Sequence, residues 1–197
     1  YKYQQGYENI KNVFTIHNIQ YQGNYGKEVL NEVMGLPMYH MSLLEYDGGV
    51  NMMKGAIETA DKVTTVSPSY AWEILDPWYS HGMDRILRTK QYKLSGILNG
   101  IDVNGYDPET DEIIEKNYSA RSTVGKKVCK AKLLAELGLQ EGNEPVIGIV
   151  TRFVSHKGID LIKYVFEDLI KAGFKFVILG SGEKIYEDFF KEMEWRY

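Results

Sequence analysis

The spacing predicts an α/β protein: parallel sheets flanked by helices, in two consecutive pieces. Three observations carry this. The run Val146-Ile147-Gly148-Ile149-Val150 is apolar throughout, as a parallel strand covered on both faces must be. A helical pattern from Ile159 to Lys171 and a second apolar run, Phe174 to Leu179, follow it, and that order makes a right-handed βαβ unit the default. Earlier, the β-branched run Val63-Thr64-Thr65-Val66 leads straight into Ser67-Pro68, a Ser at the N-cap and a Pro at the first helical position.

The other elements follow in order. Val13-Phe14-Thr15-Ile16-His17 reads as the first strand, and the polar stretch from His17 to Gly26 as a loop. Gly48-Gly49 breaks the chain before a helix from Asn51 to Ala60. After the strand at Val63–Val66, Ser69 to Leu75 continues the helix that Ser67 opens, and Gly82 to Gln91 is another helix, with late basic residues suiting its dipole. Leu94 to Asp102 is the third strand and its exit, with Asn99-Gly100 as a turn signal. Val103 to about Ser119 is polar and reads as a linker, its acids from Glu109 to Glu115 solvated. Lys126 to Leu137 is a helix stopped by Gly138 at C′, and Gly180-Ser181-Gly182 opens a last helix, Glu183 to Trp195.

The two pieces join near Asn99 to Pro108. Each shows fewer strands than the about five or six of a typical sheet. The chain lacks an initiator Met, and its last helix runs almost to the terminus. The expectation is the middle of a larger two-domain protein, whose exposed sheet edges invite pairing with another chain into an oligomer.

Composition narrows the function. The 197 residues are 44% hydrophobic and 25% charged, an ordinary globular balance. A net charge of -4 supplies no broad basic face for nucleic acid. No apolar run reaches membrane-spanning length, and Tyr1-Lys2-Tyr3-Gln4-Gln5 does not open a signal peptide. One cysteine, Cys129, excludes an internal disulfide and fits a reducing, cytoplasmic setting.

The candidate chemistry lies in Thr151-Arg152-Phe153-Val154-Ser155-His156-Lys157-Gly158, the loop between a strand's carboxyl end and the next helix. Ligands of open α/β sheets bind there, and a helix N-terminus favours anions. Arg152 and Lys157 add two fixed cations, which suits a phosphate or diphosphate, although solvated loop charges have the same look. Other candidates are weaker. His40 and His81 are isolated, without metal-ligand spacing. Asp47, Asp61 and Asp102 show no glycosidase-like pairing. Trp72, Trp78 and the tyrosines could stack on sugars but more commonly belong to a core.

Four segments in order resemble one family: Val13 to Gly23, Ala60 to Pro68, Gly96 to Asp102, and Thr151-Arg152 with Lys157-Gly158; Glu45 to Asn51 also fits. The chain resembles bacterial glycogen synthases and plant starch synthases, retaining glucosyltransferases that use ADP-glucose and have the GT-B fold of two Rossmann-like domains facing across a cleft. The resemblance implies that residues 1–102 are the C-terminal part of the N-terminal, acceptor-side domain. Residues 103–197 are then a linker and the first part of the C-terminal nucleotide-sugar-binding domain. It further implies that Arg152 and Lys157 bind the donor diphosphate and that His17 lies against the donor sugar. Asn18 and Asn99 are implied near that sugar, and Gly180 and Gly182 near the phosphates. His156 stands where relatives usually carry Gln. The implied reaction transfers glucose from ADP-glucose to the non-reducing end of an α-1,4-glucan with retention, and calls for no metal or other cofactor. UDP-glucose as donor, or a non-catalytic module binding nucleotide or glycan, are the alternatives. The family's Lys-x-Gly-Gly loop, its His-bearing strand end and its Glu before Pro-Cys-Gly-Leu have no counterpart here, so the chain alone is expected to have little or no synthase activity.

Overall fold

The computed structural model describes residues 5–197; Tyr1-Lys2-Tyr3-Gln4, read above against a signal peptide, lies outside them. The chain forms two compact units, one ending at Ile101 and the other beginning at Asp102.

In the first unit β1 (Val13–Ile16) is followed by β2 (Asn24–Tyr25), α1 (Val29–Glu32), α2 (Met41–Leu44), β3 (Glu45–Tyr46), β4 (Gly49–Asn51) and α3 (Met52–Thr59). Then come β5 (Lys62–Thr65), α4 (Pro68–Glu73), α5 (Asp84–Thr89) and β6 (Leu94–Gly96). The parallel sheet has the order β1-β5-β6, with Ile16 opposite Thr65 and Thr65 opposite Gly96. Its central strand is buried, and Thr65 Oγ1 donates to the Ile16 carbonyl at 2.9 Å. Ile16, Ile19, Met53, Ile57, Val63, Ile74, Met83 and Leu87 meet in one core. Asn51 caps α3 by accepting the Lys54 N–H at 2.7 Å, and Ser67 caps α4 by accepting that of Tyr70 at 2.9 Å. The other end of α3 is closed by the buried Lys93, whose Nζ donates to the Ala60 carbonyl at 2.6 Å, a cation at the negative pole of a helix.

The second unit holds α6 (Val124–Glu136), β7 (Val146–Val150), α7 (Ile159–Lys171), β8 (Lys175–Leu179) and α8 (Lys184–Arg196). β7 and β8 pair in parallel from Val146 opposite Lys175 to Val150 opposite Leu179, the strand–helix–strand unit that the two apolar runs predict. Gly138 takes φ +67° after α6, as a C′ glycine does. Phe153, Ile159, Phe166, Tyr186, Phe190 and Met193 form the core. The Phe166 ring lies 4.4 Å from Phe176 and 6.0 Å from Phe190, so helices and strand share one aromatic cluster.

Several expectations are corrected, among them that Val146–Val150 is covered on both faces: none of its residues is buried and Val150 is 80% exposed. The stretch to Gly26 and the Gly48-Gly49 breaker conceal a second, three-stranded sheet of order β2-β4-β3, antiparallel throughout. Its strands are two or three residues long, too short for a period-2 pattern, and Asp47-Gly48 is its hairpin turn. The third strand, expected with its exit over Leu94 to Asp102, is only Leu94–Gly96, because β5, its partner, has ended. Asn99-Gly100 makes no turn and Gly100 keeps an ordinary φ. The helix expected from Gly82 starts at Asp84, since His81 and Gly82 both take positive φ, which no α-helix continues. Trp72 and Trp78 are 74% and 85% exposed rather than core residues.

Candidate active site

The second unit sets two loops side by side, 151–158 after β7 and 180–183 after β8. The parallel pairing outlasts the strands: Phe153 N–H donates to the Ser181 carbonyl at 2.8 Å, and Glu183 N–H donates back to the Phe153 carbonyl at 2.7 Å. Phe153 and Gly182 thus form an isolated bridge. The approach is too close for a side chain there. A Cβ on Gly182 would lie 2.3 Å from the Phe153 carbonyl oxygen, and one on Gly180 would lie 2.1 Å from that of Thr151.

Phe153 turns inward, its ring 5.0 Å from Phe190. In an extended segment its neighbour Arg152 must then face out, and Arg152 is exposed. A short 3-10 turn, Ser155–Lys157, carries exposed His156 and Lys157 and ends on Gly158, whose φ of +74° glycine adopts without strain. α7 starts at once, and its first turn is tied to α8 by the Tyr186 hydroxyl donating to Asp160 Oδ2 at 3.0 Å. Burial first, and this hydrogen bond second, push the Tyr186 phenol above its usual pKa. Among the described residues neither Arg152 nor Lys157 has an ion-pair or hydrogen-bond partner for its side chain; both cations are presented to solvent at the strand end. The nearby amides are already engaged: Gly182 N–H donates to Glu187 Oε1 at 2.9 Å and Ser155 N–H to Glu183 Oε1 at 3.4 Å. A carboxylate thus sits on one amide of each loop.

In the first unit His17 directly follows β1 and is exposed. Asn18 is half-buried, and its Oδ1 accepts the Gln20 N–H at 2.9 Å, turning the loop back at the strand end. Asn99 lies in exposed extended chain three residues beyond β6. The structure therefore brings Arg152, Lys157, Gly180 and Gly182 together in one unit. His17, Asn18 and Asn99 sit at the carboxyl ends of strands in the other.

The weaker candidates have local roles. Asp61 accepts the Asn12 N–H at 2.8 Å, Asp102 accepts that of Gly105 at 2.9 Å, and the Cys129 thiol donates to the Lys116 carbonyl at 3.2 Å. No group of three or more His, Cys, Asp or Glu among the described residues could hold a metal, and no helix among them is long and apolar enough to cross a membrane.

The first unit also holds a cavity of about 1150 Å³ that no chemistry-bearing motif marks, lined in part by Gln20, Tyr25, Asp47, His81 and Arg85. Asp47 and His81 are the only non-glycine residues with positive φ among the described residues, at +50° and +47°. The dipeptides Asp47-Gly48 and His81-Gly82 were the available signal, since Gly after Asp marks a tight turn.

The family profile described as "Starch synthase catalytic domain" matches residues 1–89. The chain is 44% identical over 191 residues to a glycogen synthase of Clostridium acetobutylicum, covering 95% of this chain and 40% of that protein. It is 42% identical over 193 residues to one of Finegoldia magna, covering 97% and 41%. It thus spans about 40% of the length of these curated relatives. Among solved structures, the catalytic domain of starch synthase IV from Arabidopsis thaliana, bound to ADP and acarbose, matches with a TM-score of 0.87 and 32% identity over 98% of this chain and 41% of that one. The chain thus has the fold of a GT-B glycosyltransferase and is similar over nearly its whole length to glycogen and starch synthases.

Proposed function

We propose that this chain is the stretch of a glycogen synthase that carries the donor-diphosphate site, and that the whole enzyme transfers glucose from ADP-glucose to the non-reducing end of an α-1,4-glucan with retention. The observation that carries this is the pair of unpartnered, exposed cations Arg152 and Lys157 on a loop held by the Phe153–Gly182 bridge. The ADP and acarbose of the starch synthase IV structure support a nucleotide donor and a glucan-like acceptor.

The chemistry follows from charge. As the glycosidic bond breaks, negative charge grows on the leaving diphosphate, so cations fixed there stabilise the transition state more than the ground state. Arg152 offers a planar fork to phosphate oxygens and Lys157 a point charge. Together they supply the positive charge, and the reading calls for no metal or other cofactor. Gly180 and Gly182 let the second loop lie close to the first, and binding of the diphosphate displaces Glu187 from the Gly182 amide. On the acceptor-side unit, the one that ends at Ile101, His17 and Asn18 contact the donor sugar and Asn99 lies beside it, His17 acting by hydrogen bonding and electrostatics rather than as a general base. The enzyme works in the cytoplasm.

Transfer of labelled glucose from ADP-glucose and from UDP-glucose to glycogen, in a full-length synthase containing this stretch, tests the reading. ADP-glucose is the better donor, and Arg152→Ala lowers turnover by about 10²–10³, the cost of one preorganised charge-stabilising group. An unchanged rate refutes the phosphate role of Arg152.

A further inference from the structure

Three carboxylates stand beside the loops that carry the donor cations. Asp160 lies in the first turn of α7 with only two residues between it and Lys157, so their Cα atoms are at most about 11 Å apart. Glu183 and Glu187 lie at the start of α8. A carboxylate paired with Lys157 or Arg152 would compete with a diphosphate for the same charge. Yet both cations are exposed, and among the described residues neither side chain has an ion-pair or hydrogen-bond partner.

Each carboxylate is held elsewhere. Glu187 Oε1 accepts the Gly182 N–H at 2.9 Å, and Glu183 Oε1 accepts the Ser155 N–H at 3.4 Å. These two rest on the main chain of the loops themselves. Asp160 Oδ2 instead accepts the Tyr186 hydroxyl at 3.0 Å, from a different helix 26 residues on. The geometry of Tyr186 suits that contact. Its ring is only 4% exposed and packs in the core that also holds Ile159, the residue before Asp160. Close packing fixes such a ring, and with it the place of the hydroxyl beside the first turn of α7. Burial first, and the Asp160 contact second, raise the phenol's pKa, so it keeps its proton and donates.

The cations near Asp160 differ in their freedom. Lys163, three residues further along α7, has its ammonium 5.5 Å from the centre of the Tyr186 ring and 5.1 Å from that of Phe189, so two aromatic faces engage it. Lys157 has no such contact. It is the cation that Asp160 would take if the hydroxyl released it.

We propose that Tyr186 is a positioning residue of the donor site: its hydroxyl holds the Asp160 carboxylate against α8 and so keeps Lys157 free for the donor diphosphate. The inference rests on the phosphate role of Lys157 proposed above. Asp160 and Lys157 are both exposed, so the pair that forms without the hydroxyl is a surface ion pair, and its effect on a competing anion is a few-fold.

Calorimetric titration of ADP into the 197-residue chain tests this, with Tyr186→Phe as the central variant. Phe keeps the buried ring and removes the hydroxyl alone. Tyr186→Phe weakens ADP binding about three- to fivefold. Adding Asp160→Asn removes the competing charge and restores the affinity to that of Asp160→Asn alone, a rescue that lost packing at position 186 would not show. In a Lys157→Ala background Tyr186→Phe has no further effect, because no lysine is left to keep free. ADP affinity that Lys157→Ala weakens and Tyr186→Phe leaves unchanged overturns the positioning role and leaves the donor reading standing. An equal loss from Tyr186→Phe with and without Asp160→Asn also overturns it. Affinity indifferent to Lys157→Ala, or failure of ADP to bind, overturns the donor reading and this inference with it.

Discussion

Replacing Gly182 by Ala tests whether close backbone contact between two loops holds the cation-bearing segment in place. The new Cβ would lie 2.3, 2.7 and 2.9 Å from the carbonyl oxygen, carbonyl carbon and nitrogen of Phe153. All three are main-chain atoms, so no rotamer change relieves the overlap. The loops must separate by about 1 Å to reach ordinary contact distance. That stretches the Phe153–Ser181 and Glu183–Phe153 hydrogen bonds, now 2.8 and 2.7 Å, beyond useful length. Two lost bonds at about 0.5–1.5 kcal/mol each give a destabilisation of about 2 kcal/mol. For a unit of roughly 100 residues that lowers Tm by on the order of 10 °C. Thermal unfolding followed by circular dichroism reads this, and hydrogen exchange localises it to the amides of β7 and β8. Gly148→Ala is the internal control: nothing lies within 4 Å of its Cβ position, and its φ is not positive. Less freedom in the unfolded chain then makes that variant more stable by up to about 1 kcal/mol. A Gly182→Ala variant within about 0.5 kcal/mol of wild type, or a Gly148→Ala variant equally damaged, would refute the close-approach argument.

Asn51→Ala removes the cap of α3 and leaves the buried Gln22 Oε1 without its partner, costing about 2–4 kcal/mol in urea unfolding; Ser67→Ala, which removes a cap alone, costs about 1 kcal/mol. Equal losses for the two would contradict the buried amide network. Burial and the Asp160 hydrogen bond raise the folded pKa of Tyr186, so its contribution to stability is full below the unfolded value of about 10 and is lost as pH rises through the folded value. Contact with Glu58 at 2.8 Å raises Lys90 in the same sense. Stability measured against pH therefore falls on the alkaline side, and Tyr186→Phe makes that fall shallower; an unaltered slope counts against the Tyr186 assignment.

The sequence shows the long-period features of the fold and hides the short ones. The two apolar runs around Ile159–Lys171 translate into β7, α7 and β8 because two short apolar segments flank one stretch of helical period, although Val150 and Leu179 at the strand ends stay exposed. Ser67 and Pro68 are legible because capping is local chemistry. The β2-β4-β3 sheet is illegible because strands of two or three residues have no period, and their pairing depends on residues 24 to 51 meeting in space. Trp72 and Trp78 mislead because hydrophobicity ranks a residue type, whereas exposure depends on the face of the fold it falls on. For the site, Arg152 and Lys157 are readable from the strand–loop–helix order. Their freedom from partners, and the engagement of the Gly182 amide by Glu187, depend on side-chain placement that only the fold sets. The cavity between Asp47 and His81 joins segments far apart in the chain, and only folding brings them together.

The most direct test of the donor-diphosphate site is calorimetric titration of ADP into the chain, in the wild type and with Arg152→Ala and Lys157→Ala. The account predicts binding that weakens about tenfold or more with each substitution and falls as salt rises, as expected for an exposed charge interaction. ADP affinity equal in all three proteins would contradict it.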